Sequence, residues 1–365
     1  MPLSTRHGQH TSRGGRGLNT RANRRSITRR RSYRYLGMIP ASFFGMPLGL
    51  LALGIAWRNA TKIWDVPPQI GLFLIWLGAV LWAVLFLVYI AKWIWRSAAA
   101  KMEFEHPVQC CFIGLAGVVA SLASIGLAPY VPGVGLDLLI LGAVWTLIFA
   151  FYRTGRLWMG DRSPEATTPV LYLPTVAGGL VTGSACAVLG YPDWGQLAFG
   201  GGFFAWLAIE SVILHRLYTA PMMPAPMRPI LGIQLAPPSV AAVAYLNVGG
   251  GGRDLFVYAL IGYAILQALI LLRLWPWLRQ AGATPAWWAF SFGSAALPTA
   301  AIILAARGDT GPAAVLAPWL FAAGNLVIIA IAIMTLRLMF TGRLVAAPAA
   351  APLAPVTATT GGGKP

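Results

Sequence analysis

Ten stretches of about 18 or more mainly apolar residues recur along the chain, at roughly 38–57, 69–91, 108–127, 134–152, 169–190, 196–214, 229–248, 255–272, 286–306 and 313–336. Each is long enough to cross a hydrocarbon layer of about 30 Å as a helix. Short polar or Gly/Pro-rich turns separate them, the tightest being Tyr191-Pro192-Asp193-Trp194-Gly195. Outside this region the pattern lapses. Residues 1–35 mix Arg, Gly, Ser and Asn without apolar periodicity, and 344–365 are rich in Ala, Pro and Gly. The pattern predicts an all-α integral membrane protein, with a disordered tail over 1–35, a ten-helix membrane domain over 36–343 and a loose carboxyl tail over 344–365.

Helix-weakening residues are distributed unevenly among these spans. The first carries Phe44-Gly45-Met46-Pro47, the third Gly114 and Gly117, the fifth Pro174, the seventh Pro237-Pro238, and the ninth Gly293 and Pro298. An interior proline removes a backbone hydrogen bond and frees carbonyls that need protein or water as partners. Such breaks belong beside a cavity or at a close helix contact. The second, fourth and eighth spans lack interior prolines, which suggests five helical hairpins with odd members inside and even members outside.

Composition agrees with a membrane body: 58% of the chain is hydrophobic, 10% is charged, and the mean hydropathy is +0.69. The formal charge of +17 is concentrated in the amino-terminal tail, where ten arginines precede residue 35. If that tail is cytoplasmic, the loops on its side hold most of the remaining Lys and Arg, leaving Arg58, Lys62, Arg253 and Arg307 opposite. That asymmetry predicts both termini inside. The tail superficially resembles a twin-arginine export signal or an RNA-binding segment. Further spans follow it, however, so topology and membrane lipid are its expected business, and a nucleic acid partner is not.

Chemistry within a bilayer needs clustered ionisable or metal-binding groups, and the spans are nearly bare of them. Cys110, Cys111 and Cys186 lie in apolar runs with neither disulfide nor metal spacing. No cofactor, no metal and no enzymatic activity are expected. Glu210 is the one acid placed well inside a span; it is either a hydrogen-bonded structural group or a proton-coupling carboxyl.

The stretch Ala286-Trp287-Trp288-Ala289-Phe290-Ser291-Phe292-Gly293 crowds aromatic rings beside a glycine and, as a helix, would set Trp288, Phe292 and Ala295/Ala296 on one face. That makes Phe292 a possible plug of a narrow conduit or a packing ring. Together with Phe44-Gly45-Met46-Pro47-Leu48-Gly49-Leu50, His106-Pro107-Val108, Tyr172-Leu173-Pro174, Ala205-Trp206 with Glu210, Leu235-Ala236-Pro237 and Leu272-Arg273-Leu274-Trp275-Pro276-Trp277, it resembles in order and spacing the bacterial TehA proteins. These belong to the tellurite-resistance/dicarboxylate transporter family that includes the plant guard-cell slow anion channels. The resemblance implies a homotrimer with one pore per protomer, its five hairpins set around a quasi-five-fold axis. It makes Phe292 the occluding ring and Gly45 a small pore-lining position. Gly117 and Gln109 depart from the pattern, which has a proline and a basic residue there.

The expected function is therefore an anion channel for small monovalent anions, closed by Phe292. Phe44, Gly45, Pro47, Gly117, Pro174, Pro237, Pro238 and Gly293 are its expected pore-lining or kink residues. Ser42, Ser121, Ser124, Thr175, Thr182, Ser239 and Ser291 are candidate lining hydroxyls, and diffuse positive potential from basic loops and helix amino-terminal ends supplies the anion preference. The nearer alternative is a secondary transporter of sulfite, tellurite-related oxyanions or C4-dicarboxylates, with Glu210 as coupling group. A more distant one is a scaffold with a permanently closed pore.

Overall fold

A computed structural model describes residues 39–160, 164–249 and 252–345. The disordered tail expected over 1–35 and the loose tail expected over 344–365 lie almost wholly outside these residues. Every regular element among the described residues is helical. Among the described residues, nine helical segments are long and apolar enough to span a membrane. The tenth expected segment is a helix of 17 residues, Cys111–Leu127, of which all but Phe112 are buried.

The ten long α-helices are α1 (Gly45–Ala60), α2 (Pro68–Trp95), α3 (Cys111–Leu127), α4 (Pro132–Trp158), α5 (Gly178–Val188), α6 (Pro192–Thr219), α7 (Ala236–Gly249), α8 (Leu255–Arg273), α9 (Ser291–Ala306) and α10 (Pro312–Phe340). The even members start with proline at the first or second helical position, except α8. There the missing N–H is one the helix could not use. In α8 the Asp254 carboxylate caps the start by accepting from the Val257 amide at 2.9 Å.

Burial separates the two sets. The segments containing α1, α5, α7 and α9 bury 72–83% of their apolar window, those of the even helices only 17–33%. Each odd helix packs on the even helix that follows it, and α1, α3, α5, α7 and α9 also touch in a closed cycle, α9 returning to α1. An apolar residue that faces lipid loses nothing by exposure, so the even helices can show Phe73, Leu147, Phe204 and Trp319 outward.

The prolines of the odd segments do not kink long α-helices, as the sequence suggested. Four of these segments begin as 3-10 helix: Ala41–Phe44 before α1, Pro169–Leu171 before α5, Ala225–Leu235 before α7 and Pro285–Phe290 before α9. Pro47, Pro237 and Pro238 then fall in the first α-helical turn, where an amide donor is not required. Pro174 lies in a π-helical turn, Leu173–Ala177. Only Pro298 is interior to its α-helix among the prolines singled out.

A short helix, Ser97–Glu105, links α2 to α3 and delivers a buried carboxylate. Glu103 pairs with Lys92 at 2.7 Å and accepts from the Ala41 amide at 2.7 Å, while Lys92 also donates to the Ile39 carbonyl. The clasp pins the chain where the first odd segment begins.

Candidate functional site

The odd helices enclose a cavity of about 170 Å³ to which all five contribute. On α9 its walls are Phe292, Ala296, Thr299 and Ile303, spaced by four, three and four residues, which puts them on one helical face. Leu122 and Ile125 of α3, Val181, Ser184 and Val188 of α5, and Val240, Val243 and Asn247 of α7 add to the walls. From α1 come Ala52, Ile55, Arg58 and Asn59, and Lys62 follows just beyond that helix. Phe292 lies in the first turn of α9, remote from the helix carboxyl ends, and Arg58 and Lys62 lie at those ends. No Asp or Glu is among the lining residues.

Phe292 is 7% exposed. Trp288 does not share its face: the 3-10 turn advances about 120° per residue instead of about 100°. The Trp288 indole N–H accordingly donates to Thr335 of α10 at 2.9 Å, away from the cavity. Gly293 is the point of closest approach to the start of α7; a Cβ there would lie 2.8 Å from the Ala236 amide nitrogen and 2.7 Å from Leu235 Cγ. Gly117 faces α4, where a Cβ would meet Thr146 Oγ1 at 2.5 Å and the Gly142 carbonyl at 2.8 Å. Gly45 is less constrained, with Trp288 Cβ at 3.5 Å. Phe44 packs edge-on against Tyr89, ring centroids 6.2 Å apart. Of the residues singled out in sequence as gate, lining or kink, Phe292 alone borders this cavity.

None of the hydroxyls expected to line a passage borders this cavity. Ser124, Ser239 and Ser291 donate to backbone carbonyls three or four residues earlier. Ser121 and Thr175 are without a hydrogen-bond partner for their buried oxygens. The polar atoms on the cavity come instead from Arg58, Asn59, Lys62, Ser184, Asn247 and Thr299. Asn247 Nδ2 donates to Ser184 Oγ at 2.5 Å, and Lys62 Nζ to Asn59 Oδ1 at 2.9 Å. Partial desolvation beside the cavity, then the charges of Arg58 and Arg307, hold the Lys62 ammonium below the usual lysine range. A signal for part of this set was present in the sequence: Arg58 and Lys62 are two of the four cations that break the loop asymmetry.

Glu210 is not on the cavity. Its Oε2 accepts from the Tyr172 hydroxyl at 2.5 Å and the Trp206 indole at 2.9 Å, and its Oε1 from the Tyr263 hydroxyl at 2.7 Å. These donors come from the segment before α5, from α6 itself and from α8, so the carboxylate ties three elements together. Among the described residues no cluster of His, Cys, Asp or Glu has metal-holding geometry.

Comparison with known proteins gives a consistent picture. The family model described as SLAC1, voltage-dependent anion channel, matches residues 38–336. The Haemophilus influenzae protein named Tellurite resistance protein TehA homolog is 34% identical over 264 residues, 72% of this chain and 80% of that one. The Arabidopsis thaliana guard cell S-type anion channel SLAC1 is 26% identical over 278 residues, 71% of this chain but 48% of the plant protein, so the match spans about half of the latter. A Methanocaldococcus jannaschii protein named Uncharacterized transporter MJ0762 is 21% identical over 283 residues, 71% of this chain and 82% of its own length.

Proposed function

The chain belongs to the SLAC1 voltage-dependent anion channel family, and from that premise we propose that it conducts small monovalent anions through a passage within each protomer, closed by the ring of Phe292. The observation that carries this reading is a cavity walled by all five odd helices, free of acid side chains, with Phe292 at one end and Arg58 and Lys62 at the other. A space of about 170 Å³ has room for about six waters at roughly 30 Å³ each, enough for a partly hydrated chloride or nitrate. At the Phe292 end an apolar ring offers no polar atom to replace ion hydration, so the passage closes by steric block and dewetting. Opening is displacement of that ring.

In this reading ten helices cross the membrane as five hairpins around a quasi-five-fold axis, odd members lining the passage and even members facing lipid or neighbouring protomers of a homotrimer. The loop asymmetry in Lys and Arg favours both termini on the cytoplasmic side of a bacterial plasma membrane. Phe44, Gly45, Pro47, Pro174, Pro237 and Pro238 then act on the cytoplasmic side of Phe292, where the odd segments change from 3-10 or π to α-helix.

Proton-coupled transport of sulfite, tellurite-related oxyanions or C4-dicarboxylates is the second reading, favoured by the half-buried acid Glu210. Against it, the carboxylate is engaged by three donors and stands away from the cavity. The deciding measurement is voltage-clamp current in chloride and then in a large impermeant anion. A small wild-type current that rises at least tenfold in Phe292→Ala, only with the small anion, supports the channel. Silence of both, with oxyanion or dicarboxylate uptake that follows a proton gradient, refutes it.

A further inference from the structure

The five helices around the cavity reach it with their carboxyl ends, since the wall runs to Lys62 beyond α1, Ile125 in α3, Val188 in α5, Asn247 in α7 and Ile303 in α9. A helix carboxyl end carries roughly half a negative charge on its unpaired carbonyls. Five such ends around one mouth present the wrong sign to an anion.

Three cations oppose them. Arg58 donates from Nη1 to the Gly126 carbonyl at 2.9 Å and from Nη2 to the Ile125 carbonyl at 3.0 Å, covering the end of α3. Arg307 donates from Nη2 to the Leu246 carbonyl at 2.9 Å, covering the end of α7. Lys62 bonds Asn59 and has two further N–H donors, and Ser184, which accepts from Asn247, has its own O–H to give. Arg253, the fourth cation that departs from the loop asymmetry, is engaged elsewhere, 3.7 Å from Asp309 and over the Tyr258 ring.

We propose that Arg58, Lys62 and Arg307 form a cationic collar that holds one inorganic monovalent anion at this mouth, with Lys62 and Ser184 as donors to the ion. Arg58 and Arg307 are positioning residues that cancel the helix ends. The inference rests on the channel reading for its role in conduction, but the site itself is a statement about binding. It also accounts for cations on the side that the loop asymmetry otherwise leaves poor in them: they serve the mouth, not the topology.

The test uses the full chain and nitrate as probe. Lys62 is exposed and outside α1, so Lys62→Gln leaves the helix ends capped. Nitrate is titrated against thermal unfolding of purified protein, and external chloride against current in the Phe292→Ala background. One charge about 5 Å from the ion in a wet mouth is worth roughly a fivefold change in affinity. The expected result is that Lys62→Gln weakens nitrate binding and raises half-saturating external chloride about fivefold, while Lys62→Arg stays within about twofold of the parent. If Phe292→Ala conducts and neither quantity responds to Lys62→Gln, the collar is overturned and the channel stands. If Phe292→Ala is silent yet nitrate binding depends on Lys62, the collar stands and the channel reading falls.

Discussion

Replacing Glu210 separates a structural carboxylate from a coupling one, because the two substitutions Glu210→Gln and Glu210→Ala act differently on the same three donors. In Glu210→Gln the amide oxygen can take the Oε2 position and keep the bonds from Tyr172 and Trp206, while the new NH2 meets Tyr263, whose hydroxyl can turn and accept. Only charge assistance is lost, about 1–2 kcal/mol. In Glu210→Ala all three donors lose their acceptor. Tyr172 is 1% exposed and Trp206 4%, so water cannot readily replace it. At about 1–3 kcal/mol per orphaned donor, discounted for the half-buried edge near Tyr263, the cost is about 3–6 kcal/mol. The assay is thermal unfolding in detergent beside anion flux with and without a proton gradient. Glu210→Gln should unfold within a few degrees of the parent and keep its flux and ion preference; Glu210→Ala should unfold much earlier. The reasoning is refuted if Glu210→Gln unfolds normally but loses flux, or if flux in the parent follows the proton gradient and Glu210→Gln abolishes that dependence.

Three further outcomes follow from geometry already described. Gly293→Ala brings a methyl to 2.8 Å from the Ala236 backbone nitrogen, so α9 and α7 must part, at about 1–3 kcal/mol in thermal or denaturant unfolding. Glu103→Gln removes the countercharge from buried Lys92 and should cost about 3–5 kcal/mol, whereas the paired change Lys92→Met with Glu103→Leu should recover part of that loss. Lys62 is faced by Arg58 and Arg307 and hydrogen-bonded to Asn59, and its ammonium is held below the usual lysine range. A lowered value means that the charge is lost sooner on the alkaline side than that of an ordinary lysine, so anion current should fall as pH rises through it; a current flat to the pH of ordinary lysine, or an equal fall in Lys62→Arg, contradicts the assignment.

Apolar run length was enough to locate the helices, because crossing a bilayer demands a minimum length that few other structures need. Burial of α1, α5, α7 and α9 against exposure of the even helices also followed the uneven placement of Gly and Pro. Local geometry was less legible. A proline reads as a kink in sequence, yet Pro47, Pro237 and Pro238 sit where 3-10 gives way to α, since whether an amide is needed depends on a helix start that composition does not mark. The same change of helix type rotated Trp288 away from Phe292. The cavity polar set was missed for a different reason: Arg58 and Lys62 looked like ordinary loop cations, and what makes them lining groups is the convergence of five helix ends, a tertiary fact. Ser121 and Ser239 looked like lining hydroxyls because seriation along a span cannot tell a face turned to the cavity from one turned to a neighbouring helix.

The 3-10 starts of the odd segments also have a mechanical meaning. A 3-10 helix rises about 2.0 Å per residue and an α-helix about 1.5 Å, so the eleven residues Ala225–Leu235 are roughly 5 Å longer than the same residues wound as α-helix, and differ from them by more than half a turn. Recoiling such a segment would draw in and screw the end of the bundle away from Arg58 while leaving α7 itself intact. The longer winding thus sets both the depth and the rotation at which α7 enters the bundle.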